Sequence, residues 1–589
     1  MIKYAKIQDI MQDIKNKLPL DLRIDNAQIA DVFSGVFFNG SLCVHKGVIV
    51  GFSKTMPAQK IVDAKNACLL PTFFDAHVHI ESSMLSPDKF AELVIPFGTG
   101  TVIADPHEIA NVKGLDGIRF MLENAKESLL DVKIMLPSCV PALPFEYAGA
   151  NLSALDLAEL IADENVLGLG EMMNVPGVLM QDEKVLEKLE LAAKHNKIID
   201  GHAPMVHGDD LDMYRLAGVS TDHECTTVEE ALERIRRGMY VLLREGSAAH
   251  DLVNLLPAVN SHTLTNCLFC TDDKQCTDII KRGHINNSVR LAIEHGIAPI
   301  DAIRMATINT ARAYGLTHKG AIAPGMEASF MLVDDIRECN PHTVYIGGEL
   351  AAENGKYIAK VNKTYNAKLE QLTDFIQDSM HADLPKDLTL HIPGKKARVI
   401  RLMPHSLLTK CEIMDVAADS EGNFDFSQNK GLLKLAVVER HKKTGKIGLG
   451  LLHAEYGLQG GAIATSISHD SHNIVAAGDN DSDMLKALAE VEKMGGGIAM
   501  ICNGEVLASL SLPVGGLMSM QEPQAVIADL QKLYDVAKNH YHIWDKADAF
   551  MSLSFLALPV IPDLKLTPQG LFDVTTFQFT DVAVQDTSF

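Results

Sequence analysis

Eight short runs of apolar and small residues recur through the first half of this chain, and five of them end at a histidine or an acid. The runs cover 68–76, 99–105, 132–138, 165–170, 197–201, 219–222, 240–245 and 267–271, with amphipathic stretches such as Asp182–His195 and Thr227–Arg237 between them. Apolar positions spaced near 3.6 residues predict helix, and compact apolar runs predict buried strand. Eight strand–helix units over about 250 residues match the size of a TIM (β/α)8 barrel. A doubly wound sheet also alternates strands and helices, but it expects a Gly-rich phosphate turn after its first strand. No such turn follows residues 68–76.

Active sites of TIM barrels lie at the C-terminal ends of the strands. His77 and His79, Glu171, His202, His223 and Asp272 fall at those ends, on strands one, four, five, six and eight. Residues i and i+2 of a strand point the same way, so His77 and His79 can grip one metal ion. One arrangement gives His77, His79 and Asp272 to a first ion and His202 and His223 to a second, with Glu171 between them. Paired ions lower the pKa of water from 15.7 toward ~7. A free oxygen of Asp272 would then take the water's proton and pass it to the leaving group. Asp273, next door, reads as a helix cap. A chain with 23 histidines can supply one chance His-x-His, but not the same placement at five strand ends.

The length, 589 residues, exceeds one core and implies three or four units. Short β-rich runs at 27–53 return at 329–346 and predict one small β-sandwich domain built from both sides of the barrel. The expected division is 1–66 as the N-terminal segment and part of that domain, 67–320 as the barrel, 321–370 as the remainder, and 375–589 as a further α/β domain. That last part carries strands, Gly-rich turns and helices near Ser482–Lys493 and Gln521–Lys538.

A net charge of −23 argues against nucleic acid as a partner, because phosphate contacts require clustered Lys and Arg. No apolar stretch is long enough to span a bilayer, and Met1–Leu18 shows no cleavage site, so no membrane partner and a cytoplasmic location are expected. Ten scattered cysteines read as reduced thiols. Cys267, Cys270 and Cys276 read as packing residues in preference to a zinc site.

The order His-x-His, acid, His, His, Asp along the strands resembles the amidohydrolase superfamily. More narrowly, the chain resembles the bacterial-type adenine deaminase family. The matching words are Asp75-Ala-His-Val-His-Ile-Glu-Ser-Ser-Met84, Ala104-Asp-Pro-His-Glu-Ile-Ala-Asn-Val112, Gly170-Glu-Met-Met-Asn-Val-Pro-Gly177 and Asp222-His-Glu-Cys-Thr226. Arg244-Glu-Gly-Ser247, Cys270-Thr-Asp-Asp273, Gly283-His284, His469-Asp-Ser-His-Asn473 and Pro513-Val-Gly-Gly516 extend the resemblance past the barrel. It implies hydrolysis of adenine to hypoxanthine and ammonia in purine salvage. The implied cofactor is a binuclear centre of manganese or iron, with zinc also compatible. Glu171 stands where many members of the superfamily place a modified lysine. Thr72 and Ser329 depart from the family's usual Gly and acid, and neither is a ligand.

Attack at purine C6 pushes electrons onto a ring nitrogen, which must be protonated. Glu108 is the candidate acid, with capping of the following helix as the alternative. His107 reads either as a ligand or substrate contact or as a structural hydrogen-bond partner. Arg244 and Ser247, at the end of strand seven, His284 and His469 are further candidate substrate contacts. Arg244 could instead pair with an acid such as Glu245. The cluster Ser468–Asn473 reads either as a loop closing over the barrel mouth or as a polar turn. A homo-oligomer, dimer or tetramer, is expected. Two other functions compete: the same metal barrel acting on another aminated heterocycle or a cyclic amide, and a catalytically dead scaffold, which would have lost ligands.

Overall fold

A computed structural model describes residues 4–361, 366–404, 406–543 and 548–584. The eight expected strands are all present. Strands one to five (Phe73–Val78, Thr99–Ala104, Asp131–Leu136, Val166–Met172, Ile198–Gly201) form one parallel sheet. Strands six to eight (Thr221–Asp222, Tyr240–Arg244, Cys267–Cys270) form a second parallel sheet. Backbone hydrogen bonds join the two at both seams: Ser220 N donates to Ile199 O at 2.9 Å, and Asp272 N donates to His77 O at 3.0 Å.

Strands one, two and eight are buried along their whole length, as parallel strands covered on both faces should be. Alternate residues fill the interior: Phe74, Ala76, Ile103, Met135, Leu242 and Leu268 pack together there. The remaining strand residues face the surrounding helices. Two of those helices run Glu183–Lys194 and Val228–Arg236, each capped by the polar residue before it. Thr227 and Glu230 exchange side-chain and backbone hydrogen bonds in a capping box, which satisfies donors the first turn leaves open.

The segments flanking the barrel do combine. Cys68–Pro71 pairs antiparallel with Phe330–Val333, so strands from both sides of the barrel join one nine-stranded sheet, eight of them on one path and Ala58–Asp63 paired beside it with Leu20–Asp31. Leu22, Ile29, Leu42, Phe330 and Tyr345 are part of its own core. Because Pro71 leads at once into strand one, this sheet anchors the strand that carries His77 and His79.

The C-terminal part contains an eight-stranded sheet ordered 409–415, 396–402, 447–453, 432–438, 474–478, 462–465, 497–502 and 505–511. Helices Asp481–Lys493 and Pro523–Asn539 accompany it, as does a three-stranded sheet over 564–580. The loop between the strands ending at Thr465 and starting at Ile474 reaches the barrel mouth.

Candidate metal centre

The last turn of strand one places both imidazoles in the mouth, with His77 Nε2 and His79 Nε2 3.2 Å apart. His79 Nδ1 lies 2.9 Å from the Asp105 carbonyl, so that nitrogen carries the proton and Nε2 keeps its lone pair. Asp272 Oδ1 sits 3.1 Å from His79 Nε2 and 3.6 Å from His77 Nε2. Asp272 itself has φ +57°, a left-handed conformation that costs a non-glycine residue free energy and turns its carboxylate inward.

Glu171 spans the two groups of histidines. Its Oε1 is 3.4 Å from His79 Nε2, and its Oε2 is 2.7 Å from His202 Nδ1 and 3.3 Å from His223 Nε2. Gly170 makes this position possible: a Cβ there would fall 2.1 Å from Asp105 Oδ2, the oxygen that accepts from Glu171 N at 2.9 Å. The His223 ring stacks on His77 with centroids 4.2 Å apart.

The donor set fits divalent cations. His77, His79 and Glu171 bring one ligand atom each within 4.8 Å of one another, as do His77, His223 and Asp272, and again Glu171, His202 and His223. Nitrogen and carboxylate donors in this number suit zinc, manganese or iron. Imidazole nitrogens buried and packed this closely gain most from a shared cation.

Two carboxyls beside the centre are driven in opposite directions. Burial works to raise the pKa of Asp272, but His77, His79 and the Arg244 guanidinium outweigh it and hold the carboxyl well below the usual range. Glu108 is buried beside Glu81 and Asp273, and burial and both neighbouring charges push its pKa well above the usual range. These surroundings favour the anion at Asp272 and the neutral acid at Glu108.

The other singled-out residues divide. His107 faces the centre, with Nδ1 3.3 Å from Glu171 Oε1. His469 is buried, stacks on Phe555 at 4.2 Å and belongs to the loop that covers the mouth. Arg244 pairs with Glu224, Asp251 and Asp272, not with Glu245. Its Nη1 donates to Asp272 Oδ2 at 2.9 Å, so that oxygen is not free as expected but keeps a second lone pair.

Ser247 does not turn to the mouth. Its hydroxyl donates to Asp278 Oδ2 at 2.6 Å and accepts from Gln275 N at 2.9 Å, which ties down the loop before helix Cys276–Arg282. His284 is fully buried, 3.2 Å from Asp75 Oδ2 and 2.8 Å from Thr99 Oγ1. Asp273 caps no helix; it is buried and accepts from Ser82 Oγ at 2.5 Å. Cys267, Cys270 and Cys276 are buried free thiols, and burial raises the pKa of each, opposite to what a thiolate ligand needs.

Sequence reasoning gave no individual role to Asp105, Glu224, Asp470 or His472, although all four stand in the matching words and the last two in the cluster Ser468–Asn473. Glu224 lies 3.6 Å from His223 Nε2 and 3.8 Å from His202 Nδ1. Asp470 Oδ1 lies 3.9 Å from His107 Nε2. Closeness in sequence to a candidate site residue was the available signal for Asp105 and Glu224, with Glu224 next to His223 and Asp105 two residues before His107.

Residues 68–351 match the amidohydrolase family, and residues 406–578 match the adenine deaminase C-terminal domain. An adenine deaminase of Nitratidesulfovibrio vulgaris is 49% identical over 581 residues, covering 98% of this chain and 99% of the relative. The chain belongs to the adenine deaminase family. A second relative of that name, from Geobacillus kaustophilus, is 47% identical over 95% of this chain and 96% of its own length. Among solved structures, enamidase of the amidohydrolase superfamily aligns with a TM-score of 0.44 at 19% identity, covering 58% of this chain and 98% of that one. Both regions matched in this adenine deaminase family member supply the site. The barrel brings the six clustered side chains, and the C-terminal region brings the loop bearing His469, Asp470 and His472.

Proposed function

We propose that this protein hydrolyses adenine to hypoxanthine and ammonia, with His77, His79, Glu171, His202, His223 and Asp272 holding two divalent cations. The observation that carries this reading is one buried cluster of metal-type donors that includes Asp272, whose surroundings favour its anion, with Glu108 nearby in surroundings that favour its neutral acid. Environments that push two carboxyls apart assign one as base and the other as acid. When bound, the cations supply the Lewis acidity that makes water a nucleophile at neutral pH. Manganese or iron is proposed from family resemblance, and zinc suits the same donors.

The chain's own groups move the protons. Asp272 Oδ2 takes a proton from the attacking water as its oxygen bonds to C6. Glu108 gives its proton to the ring nitrogen that receives the displaced electron pair. The C6–amine bond breaks as the amine collects the proton held by Asp272, and ammonia leaves. The hydroxyl proton remaining on C6 returns to Glu108, which restores both carboxyls. Arg244 acts through Asp272 by keeping it ionised, and His107 and His469 contact the purine.

The division into 1–66 with 321–370, 67–320 and 375–589, a homo-oligomeric assembly and a cytoplasmic location complete the proposal. Among the described residues no helix is long and apolar enough to cross a membrane. Ammonia release from adenine, by metal-stripped protein reconstituted separately with manganese, iron and zinc, is the test. Turnover of adenine is expected; inert protein in all three arms, with turnover of another aminated heterocycle or a cyclic amide, overturns the substrate assignment.

A further inference from the structure

The barrel mouth is covered by the loop 468–473, and one side chain of that loop is placed against the proposed acid. His472 is fully buried, and its Nε2 lies 3.5 Å from Glu108 Oε2. Its Nδ1 accepts a hydrogen bond from Ser468 N at 3.2 Å, which places the ring's single proton on Nε2. That N–H has no other partner. Burial beside His469, Arg440, His107 and His441 keeps the ring uncharged.

The loop is held from both sides. Arg440, itself buried, donates to the carbonyls of His472, Ser379 and Gly515. Ser471 Oγ donates to Glu146 Oε1 at 2.6 Å, and Asn473 Nδ2 donates to Tyr147 O at 2.8 Å, both on the barrel side. His472 has φ +51°, a left-handed conformation that a non-glycine residue holds only where its surroundings impose it.

We propose that His472 is a positioning residue for Glu108: its Nε2–H, aimed at Oε2, steadies the carboxylate that forms when Glu108 gives up its proton. The inference rests on Glu108 being the acid of the proposed reaction. Catalytic hydrogen bonds that are long without substrate tighten once it binds. Glu108, His469 and His472 also bring ligand atoms within 4.8 Å of one another. A cation on His472 Nε2 would, however, require the proton that the Ser468 amide places there to leave.

His472→Phe keeps a ring and removes the N–H, whereas His472→Gln returns an N–H at similar reach. Both are made in the full chain loaded with manganese, with metal content measured beside kcat, KM and the kcat–pH profile. In His472→Phe, kcat should fall about ten- to a hundredfold, the range for a lost hydrogen bond to a charged group. KM for adenine should hold, the alkaline limb should move to higher pH, and His472→Gln should recover most of kcat.

Unchanged kcat in a fully metallated His472→Phe overturns the proposal, as does equal loss in both variants with an unmoved limb. Loss of one metal equivalent in His472→Phe also overturns it, in favour of a third cation. If His472→Phe does not fold, His472→Gln decides alone: near-parental kcat is expected, and an inactive, folded, metallated protein refutes the role. Glu108→Gln is measured in parallel. Parental activity there sinks the acid assignment itself, whereas an inactive Glu108→Gln beside an unimpaired His472→Phe sinks only the role of His472.

Discussion

Arg244 Nη1 donates to Asp272 Oδ2 at 2.9 Å, while the other oxygen of the same carboxylate faces His79 Nε2 at 3.1 Å. One side chain therefore ties strand seven to the metal-type cluster. Arg244 also holds Glu224 and Asp251, so one buried guanidinium is shared by three acids. The guanidinium is almost wholly enclosed, and its pKa is pushed up by Glu224, Asp272 and Asp251 against the effect of burial.

Arg244→Met should lower stability by about 3–5 kcal/mol, the cost of removing one partner from a buried ion network. It should also move the acid limb of the pH profile. Asp272 has a depressed pKa and must be ionised to take a proton, so activity is present above that pKa and lost as pH falls through it. Without Arg244 the pKa rises and the loss begins at higher pH. The kcat/KM–pH profile of metal-loaded Arg244→Met against the parent reads this shift; a superimposable acid limb would refute the coupling.

Glu108→Gln should retain metal and lower kcat by about 10²–10⁴, the usual contribution of a positioned proton donor. The sign of the pH dependence is opposite to that of Asp272. Glu108 has a raised pKa and acts protonated, so activity is present below that pKa and lost as pH rises through it. The alkaline limb should disappear from the residual activity of Glu108→Gln. A retained limb at the parental position would assign it to another group.

The two proposed cations should differ in how easily they leave. The side chain of His202 is 27% exposed, against 2% for His223, 1% for His77 and 4% for His79. A chelator should therefore strip the cation on His202 and His223 first. Metal content followed during dialysis against chelator should fall in two phases, and His202→Asn should abolish the faster one. A single phase in both proteins would show that the two cations leave together.

The eight strands and the six clustered side chains were legible because a strand end fixes direction: a residue just past an apolar run on a barrel strand has few places to point other than the mouth. The same reasoning failed one step further along the chain. Ser247 lies three residues past the end of strand seven, and His284 lies beyond helix Cys276–Arg282, so the strand direction no longer fixes where either side chain points. Gly283, at φ +99°, precedes His284, whose ring lies between Asp75 and Thr99 under the centre. Glu224 was hidden by its neighbour, since adjacent residues at a strand end are read as one inward and one outward. The loop Ser468–Asn473 was legible as a polar cluster, but spacing could not tell closure over the mouth from a polar turn, nor pair His472 with Glu108. The loop's hydrogen bond from Ser471 to Glu146 joins residues 325 positions apart, and only the packing of the C-terminal sheet on the barrel brings them together.

His284 gives the sharpest contrast between position in the chain and position in space. Asp75, two residues before His77, accepts from His77 N at 3.3 Å and Thr271 N at 3.0 Å, and His284 Nε2 stands 3.2 Å from its other oxygen. Burial raises the Asp75 pKa to about 7, so its neighbours must satisfy it without solvent. His284→Leu removes the partner of the buried Thr99 hydroxyl and should therefore destabilise the fold by about 1–3 kcal/mol, read as a lower melting temperature. KM for adenine should stay at the parental value, because the ring faces Asp75 and Thr99 and none of the proposed substrate contacts. A raised KM at unchanged melting temperature would instead make His284 a substrate contact, and would require that Asp75 and Thr99 release the ring when adenine binds.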